Sequence, residues 1–382
     1  MEQALPTQVV HRLQVSDRCK RKAEENDVCR QSTPDEAHSV SFANVEIAVY
    51  KRRRLTQPTL PRAPSDADAI VRNSRYAKLN GDDFYHGIAD AGEDRTALLF
   101  AWTGQLNMLK VAKEGYLDAT FKIVPAIYYQ LLTVFATSGD AAFPVCYVLM
   151  RWKTHALYRS VFAAMRDLVP DFTPKHVMAD FEKASVGAFQ DMFGEVAIAG
   201  CWFHYCQAVI KRLNKLGLKE HYQSRDDITD IVRCILGLPL LPAEDIRTAA
   251  EEIRATICTD MHMVRQLQQL LMYVQRQWID KRTVGPERLS VRGIKWRTDN
   301  IPESYQAALR RRIQMSHPNL FLFFDHLRRA TVDYMSDRER LENGLAIRRP
   351  RSKQQLKNDR RVQRCFEKYD NGDYSRIQFL RH

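Results

Sequence analysis

The sequence has no apolar run approaching the roughly 18 to 20 residues that a membrane-spanning helix needs, and Ala97 to Trp102 is far too short. Met1-Glu2-Gln3-Ala4 is not a positive head leading into an apolar stretch, so no secretory signal is expected and the chain reads as intracellular. Cysteine is thinly spread: eight residues, at 19, 29, 146, 201, 206, 234, 258 and 365, over 382 positions. A chain of this length buries a sizeable core without staples, so reduced thiols are expected rather than a disulfide framework. Acid is in deficit, with 46 Asp and Glu against 58 Lys and Arg, a formal charge of +12. Such a surface attracts polyanions, nucleic acid first and anionic membrane as the alternative.

What is present suits folding. Hydrophobic residues make up 45% and aromatics 10%, ordinary for a globular protein. Residues 1–93 read as a polar, basic leader, broken early by Pro34, Pro58, Pro61 and Pro64. It carries Lys51-Arg52-Arg53-Arg54, readable as a nuclear localisation signal, a phosphate-binding patch or plain solvated charge; nucleus is the expected location. From 94 the apolar periodicity becomes legible and a core is expected over 94–205. Leu98 to Trp102 reads as a buried strand or short helix, and three β-rich runs follow: Gly115 to Val124, Tyr128 to Thr137 and Ala142 to Trp152. Turn residues separate them, as in an antiparallel meander.

Leu157, Val161, Phe162, Met165 and Leu168 then share one helical face. His176 to Ala179 is a short strand, Glu182 to Phe193 a second helix and Val196 to Phe203 a further strand. The order β-β-β-α-β-α-β is that of a ribonuclease H-like α/β fold, a mixed sheet with helices on both faces. Residues 206–296 are helical in pattern and read as an insertion before the last catalytic helix, which begins near Pro302 within C-terminal helices over 297–345. Residues 346–382 form a basic tail, and Arg348 to Arg361 reads as an exposed arm.

Two-metal phosphodiester chemistry needs acids converging from different elements. Asp118 lies inside a strand-like run, where burial is costly without a metal or partner. Asp180 ends a strand and could equally cap the following helix. In a ribonuclease H-like sheet the first and fourth strands are neighbours, so these two acids would meet.

At these residues the chain resembles a known family. Asp118-Ala119-Thr120-Phe121-Lys122 with Pro125 and Gln130 resembles the opening signature of the Mutator-like (MULE) transposase domain, a member of the DDE superfamily. Asp180-Phe181-Glu182 with Ala184 resembles its second block. Gly200-Cys201-Trp202-Phe203-His204-Tyr205-Cys206-Gln207-Ala208 and Leu216-Gly217-Leu218 resemble the segments that follow. The resemblance implies a third acid on a helix after the insertion. The run Arg297-Thr298-Asp299-Asn300-Ile301-Pro302-Glu303-Ser304-Tyr305-Gln306, followed by His317-Pro318-Asn319-Leu320, supplies Glu303. Asp299 stands where the family pattern has asparagine, and Gln306 where it has histidine. Glu303 also fits a capping box with Asn300.

The resemblance implies a DNA transposase in which Asp118, Asp180 and Glu303 hold two Mg²⁺ or Mn²⁺ ions for strand cleavage and transfer, with DNA ends and target as partners. A homo-oligomer would suit the pairing of two ends. Cys201 and His204 are expected beside the site as support. Lys122, Lys211 and Arg212 are candidate phosphate contacts, although exposed cations are commonly just solvated. Cys201, His204, Cys206 and His221 invite zinc, but their spacing is irregular for a tetrahedral site and structural zinc is not expected. Relatives often carry an N-terminal zinc finger; Cys19, Cys29 and His38 do not complete one, so a degenerate remnant is the expectation. Trp278 or Trp296 could stack on a base or simply fill core. The rivals are a domesticated transposase that binds DNA without cleaving it, and a cellular ribonuclease H-like nuclease, against which the helical insertion argues.

Overall fold

A computed structural model describes residues 58–381 apart from 62, 140, 259–262, 295–299 and 348–352; Pro61–His382 forms a unit of its own. A short hairpin of β1 (Lys78–Leu79) and β2 (Asp82–Asp83) precedes the main sheet. That sheet holds β3 (Tyr85–Asp90), β4 (Thr96–Phe100), β5 (Glu114–Thr120), β6 (Gln130–Ser138), β7 (Ala141–Met150), β8 (His176–Ala179) and β9 (Ala197–Gly200), in the spatial order β3-β4-β7-β6-β5-β8-β9. β5, β6 and β7 form the antiparallel meander, while β8 runs parallel to β5 and β9 parallel to β8.

Successive residues of a strand point to opposite faces, and here both faces are apolar because helices cover both. Tyr116, Leu131, Phe135, Tyr147 and Met178 join one core. That core is shared with α1 (Pro64–Arg72) and with α11 (Asn300–Ile313) and α12 (Leu320–Glu342), numbering helices along the chain. Leu117, Leu132, Val134, Val148 and Val177 face the other way, against α2 (Thr103–Val111), α3 (His155–Leu168) and α4 (Lys183–Phe193). In α3 the buried residues Leu157, Tyr158, Val161, Phe162 and Met165 follow the helical period.

A third core belongs to helices alone. It is built by α5 (Trp202–Lys215), α6 (Lys219–Ser224), α7 (Asp226–Gly237), α8 (Ala243–Thr256), α9 (Val264–Val274) with a π turn at Gln275–Ile279, and α10 (Pro286–Leu289). α13 (Lys353–Asp370) and α14 (Arg376–Arg381) complete it.

Three expectations need correction. The folded body does not wait until 94: Ala67, Val71, Tyr76 and Phe84 are fully buried and β3 is an edge of the sheet. These segments are short and rich in alanine and charge, so only the surface they pack on reveals them as core. The last strand stops at Gly200, and Trp202-Phe203-His204 open α5, whose buried Tyr205, Val209 and Leu213 keep a four-residue period. The C-terminal stretch is helical, and beyond its exposed first turns it buries Phe366, Phe379 and Leu380 among the helices. Leu98 lies in strand β4. The Lys51–Arg54 cluster, Cys19, Cys29, His38, Trp296 and Arg297–Asp299 lie outside the described residues.

Candidate active site

Asp118 lies in β5, two positions from its end, and is 7% exposed. Two residues after Tyr116, it shares that residue's face, the one covered by α11. The parallel register pairs Leu117 with Ala179, so Asp118, within β5, and Asp180, immediately after the end of β8, stand one step beyond that pair. Burial, then the negative charge of Asp180, pushes the Asp118 carboxyl up to about 7; Glu303 adds in the same sense. Hydrogen bonds from the Gln306 side-chain amide and the Ala119 backbone work the other way. The Gln306 amide donates directly to Asp118 Oδ2.

Glu303 and Gln306 are three apart on α11 and therefore share its face. Glu303 is half-buried; burial raises its carboxyl pKa and Arg310 opposes the rise. The Asn300 side chain, the other half of the capping-box alternative, lies outside the described residues.

Asp180 does make a local turn: its Oδ1 accepts from the Glu182 N–H at 3.0 Å. Its backbone carbonyl accepts from Arg288 Nη2 at 3.0 Å. Arg288 is contributed by α10 and lies 5.6 Å over the Phe181 ring. Burial lowers the Arg288 pKa and the Asp180 charge opposes this. Phe181 in turn lies across Gly200, where an added Cβ would come within 2.0 Å of the ring. The glycine of the third motif is thus the floor on which the phenylalanine of the second motif rests.

Glu182 faces a buried polar chain: Gln130 Nε2 donates to the Tyr158 hydroxyl at 2.6 Å, and that hydroxyl donates to Glu182 Oε2 at 3.3 Å. Burial and the Asp180 charge raise the Glu182 carboxyl pKa, and Lys153 opposes this. Gln130 is completely buried, which is tolerable only with such a partner.

Cys201 is fully buried between β9 and α5, and its N–H donates to the Ala179 carbonyl at 3.0 Å. His204 lies in the first turn of α5, close enough to Asp180 for that charge to oppose the lowering of its pKa by burial. Lys211 is two turns further along α5, on the His204 side, and is exposed. Arg212 is directed elsewhere, its guanidinium 5.7 Å over the Tyr273 ring of the helical core. Lys122 is exposed just past β5, and its carbonyl accepts the His317 N–H at 3.3 Å. His317 Nδ1 is 3.1 Å from the Val124 carbonyl, and Asn319 caps α12 by accepting the Leu322 N–H at 2.9 Å. The His317–Leu320 segment is therefore docked on the first motif.

The Cys206 thiol faces the Leu236 carbonyl at 3.9 Å, and burial pushes it up to about 12. Trp278 is core, edge-on to Phe181 at 4.6 Å and to Tyr205 at 5.1 Å, and so is not placed to stack on a base. Sequence reasoning missed Arg288 and Tyr158. The arginine is one of many in a helical stretch, and the tyrosine sits in an apolar stripe where its hydroxyl sends no periodic signal. As placed, no three His, Cys, Asp or Glu side chains among the described residues form a preformed metal cage.

Residues 115–208 match the family model of the MULE transposase domain. Among solved structures the chain is similar to the "Drosophila P element transposase strand transfer complex". The identity is 10%, the alignment covers 87% of this chain and 92% of that chain, and the TM-score is 0.32. No curated protein matches.

Proposed function

We propose that this chain, whose residues 115–208 match the MULE transposase domain, is a DNA transposase built on a ribonuclease H-like core, with Asp118, Asp180 and Glu303 as its metal-holding acids. The observation that carries the reading is Asp118 itself: an acid buried on a sheet strand, facing α11, in the fields of both Asp180 and Glu303. The inner strand order β7-β6-β5-β8-β9, a meander followed by two parallel strands, supports the core assignment.

The residues fit divalent cations. Three carboxylates are hard oxygen donors suited to Mg²⁺ or Mn²⁺, and a cation would offset both the burial and the Asp180 repulsion that push the Asp118 carboxyl up. When bound, two ions activate the attacking oxygen and stabilise the leaving one. The chain's own residues set the stage. Gln306 holds Asp118 Oδ2 and must yield it to an ion. Arg288 and the Asx-type turn fix Asp180, and Cys201 and His204 shape the wall beside it. Lys122 and Lys211 are free to meet phosphates at its rim, whereas Arg212 is engaged with Tyr273. Nuclear action and pairing of two DNA ends by a homo-oligomer belong to the same reading.

A second reading, a domesticated transposase that binds DNA without cutting it, is favoured by Gln306, which stands in place of histidine and is bonded to the first acid. Strand cleavage and strand transfer on duplexes carrying the cognate ends, with Mg²⁺ or Mn²⁺, separate the two. Asp118→Ala, Asp180→Ala and Glu303→Gln should each lose more than about a hundredfold, since even groups that only orient metal ligands cost 10–100-fold. DNA binding with no metal-dependent cleavage by the wild type would sink the enzyme reading.

A further inference from the structure

We propose that the outer face of α13 is a second DNA-docking surface that grips the phosphate backbone of duplex DNA, separate from the acids of the candidate site. The proposal rests on the transposase reading for its choice of polyanion; the surface itself is read from the structure.

Lys357, Arg360 and Arg364 are spaced by three and four residues and therefore share one stripe of the helix. All three are exposed, and they line one surface concavity together with Leu356 and Gln363. Among the described residues these three cations have no acidic partner. Arg376, on the neighbouring α14, is by contrast paired with Asp245 and Glu252. Glu367 follows a turn beyond Arg364, at the end of the stripe, and Asp359 and Asp370 lie round the helix from it. From Lys357 to Arg364 the helix rises about 10 Å, the axial span of about three phosphates on one strand.

The opposite face of α13 is committed to the protein. Phe366 is buried in the helical core and stacks on Phe379 at 5.9 Å. The Tyr369 hydroxyl donates to Asp245 Oδ2 at 2.7 Å. Arg292 lies 3.9 Å over the Phe366 ring, donates to the Phe366 carbonyl at 3.2 Å and pairs with Asp370 at 2.5 Å. The basic stripe is thus presented by an anchored helix. That anchoring also chooses among polyanions. A membrane-surface helix needs its apolar face for lipid, and here that face is already buried. Single-stranded nucleic acid is held largely by aromatic stacking, and the stripe carries no aromatic ring. Cations alone, on a rigid support, suit the backbone of a duplex.

The test uses the full chain and a duplex of unrelated sequence, with affinity measured over a salt series. Lys357→Gln/Arg360→Gln/Arg364→Gln should lower the slope of log affinity against log salt by about 2 to 3, at roughly 0.9 for each phosphate no longer neutralised. At about 0.15 M salt it should weaken binding by on the order of tenfold or more. Arg360→Gln alone should lower the slope by about one, and Lys357→Arg/Arg360→Lys/Arg364→Lys should bind as the wild type does. If the wild type binds and the glutamine variants match it in slope and affinity, the surface is overturned while the transposase reading stands. If the wild type binds no duplex, that reading fails and takes the surface with it. Loss confined to phosphatidylserine vesicles, with duplex binding unchanged, also overturns the proposal.

Discussion

A carboxyl held near pH 7 is a titratable property of Asp118 that can be measured without knowing any substrate. An unfolded aspartate ionises near 3.8, whereas the native carboxyl is pushed to about 7 by burial and by Asp180. Between these values the native state binds the extra proton, so the stability this group supports is complete below about pH 4 and lost as pH rises through about 7. In metal-free buffer the wild type should therefore lose stability between pH 5 and pH 8 relative to Asp118→Asn. The upper limit is about 1.4 kcal/mol per pH unit, with the whole effect on the order of a few kcal/mol. Urea unfolding midpoints at the two pH values check this, and a gap between the proteins that does not move with pH would contradict the placement of Asp118. Gln306 matters at the same scale. Its amide favours the ionised Asp118, so the residue standing where the resembling pattern has histidine touches the first acid of the proposed triad.

Between elements, the motifs prove to be contacts as well as candidate ligands. Phe181 needs Gly200 beneath it, Gln130 reaches Glu182 through Tyr158, and His317 closes on the turn after β5. Each joins residues far apart in sequence, and each explains a motif position that carries no charge to the site. Arg292 plays a similar part for the C-terminal helices, clasping α13 through Phe366 and Asp370. Arg292→Leu removes both the ion pair and the cation–π contact, and leaves the Phe366 carbonyl without that donor. The expected cost is about 1–3 kcal/mol, concentrated in α13 and α14. Hydrogen exchange should accelerate over 353–381 while the sheet stays protected; uniform acceleration would show that Arg292 supports the whole body instead.

For the molecule as a whole, the boundary of the folded body is the point on which sequence and structure part most clearly. A chain beginning at Pro61 keeps α1 and β3. One beginning at residue 94 loses the buried Ala67, Val71, Tyr76 and Phe84 and exposes the edge of β4. The first should unfold cooperatively and the second should aggregate or unfold at markedly lower urea, since unpaired edges and stripped cores both favour association. Equal midpoints would refute a boundary at Pro61.

Within one chain, periodicity and spacing determined a good deal. The apolar runs of the meander, the helical face of α3 and the acids at 118 and 180 are local patterns, because neighbouring residues alone make a short apolar run between turn residues or a period of 3.6. They were legible without any partner in view. Other features depend on surfaces brought together from distant parts of the sequence. Alanine-rich α1 becomes core because the sheet covers it. The apolar run after Gly200 becomes helix because its far face packs on the helical block. The Asp118 carboxyl is pushed up to about 7 by burial under α11 and then by Asp180. Burial, electrostatic coupling and the unpartnered basic stripe of α13 are properties of what surrounds a residue, and the tertiary structure alone decides what surrounds it.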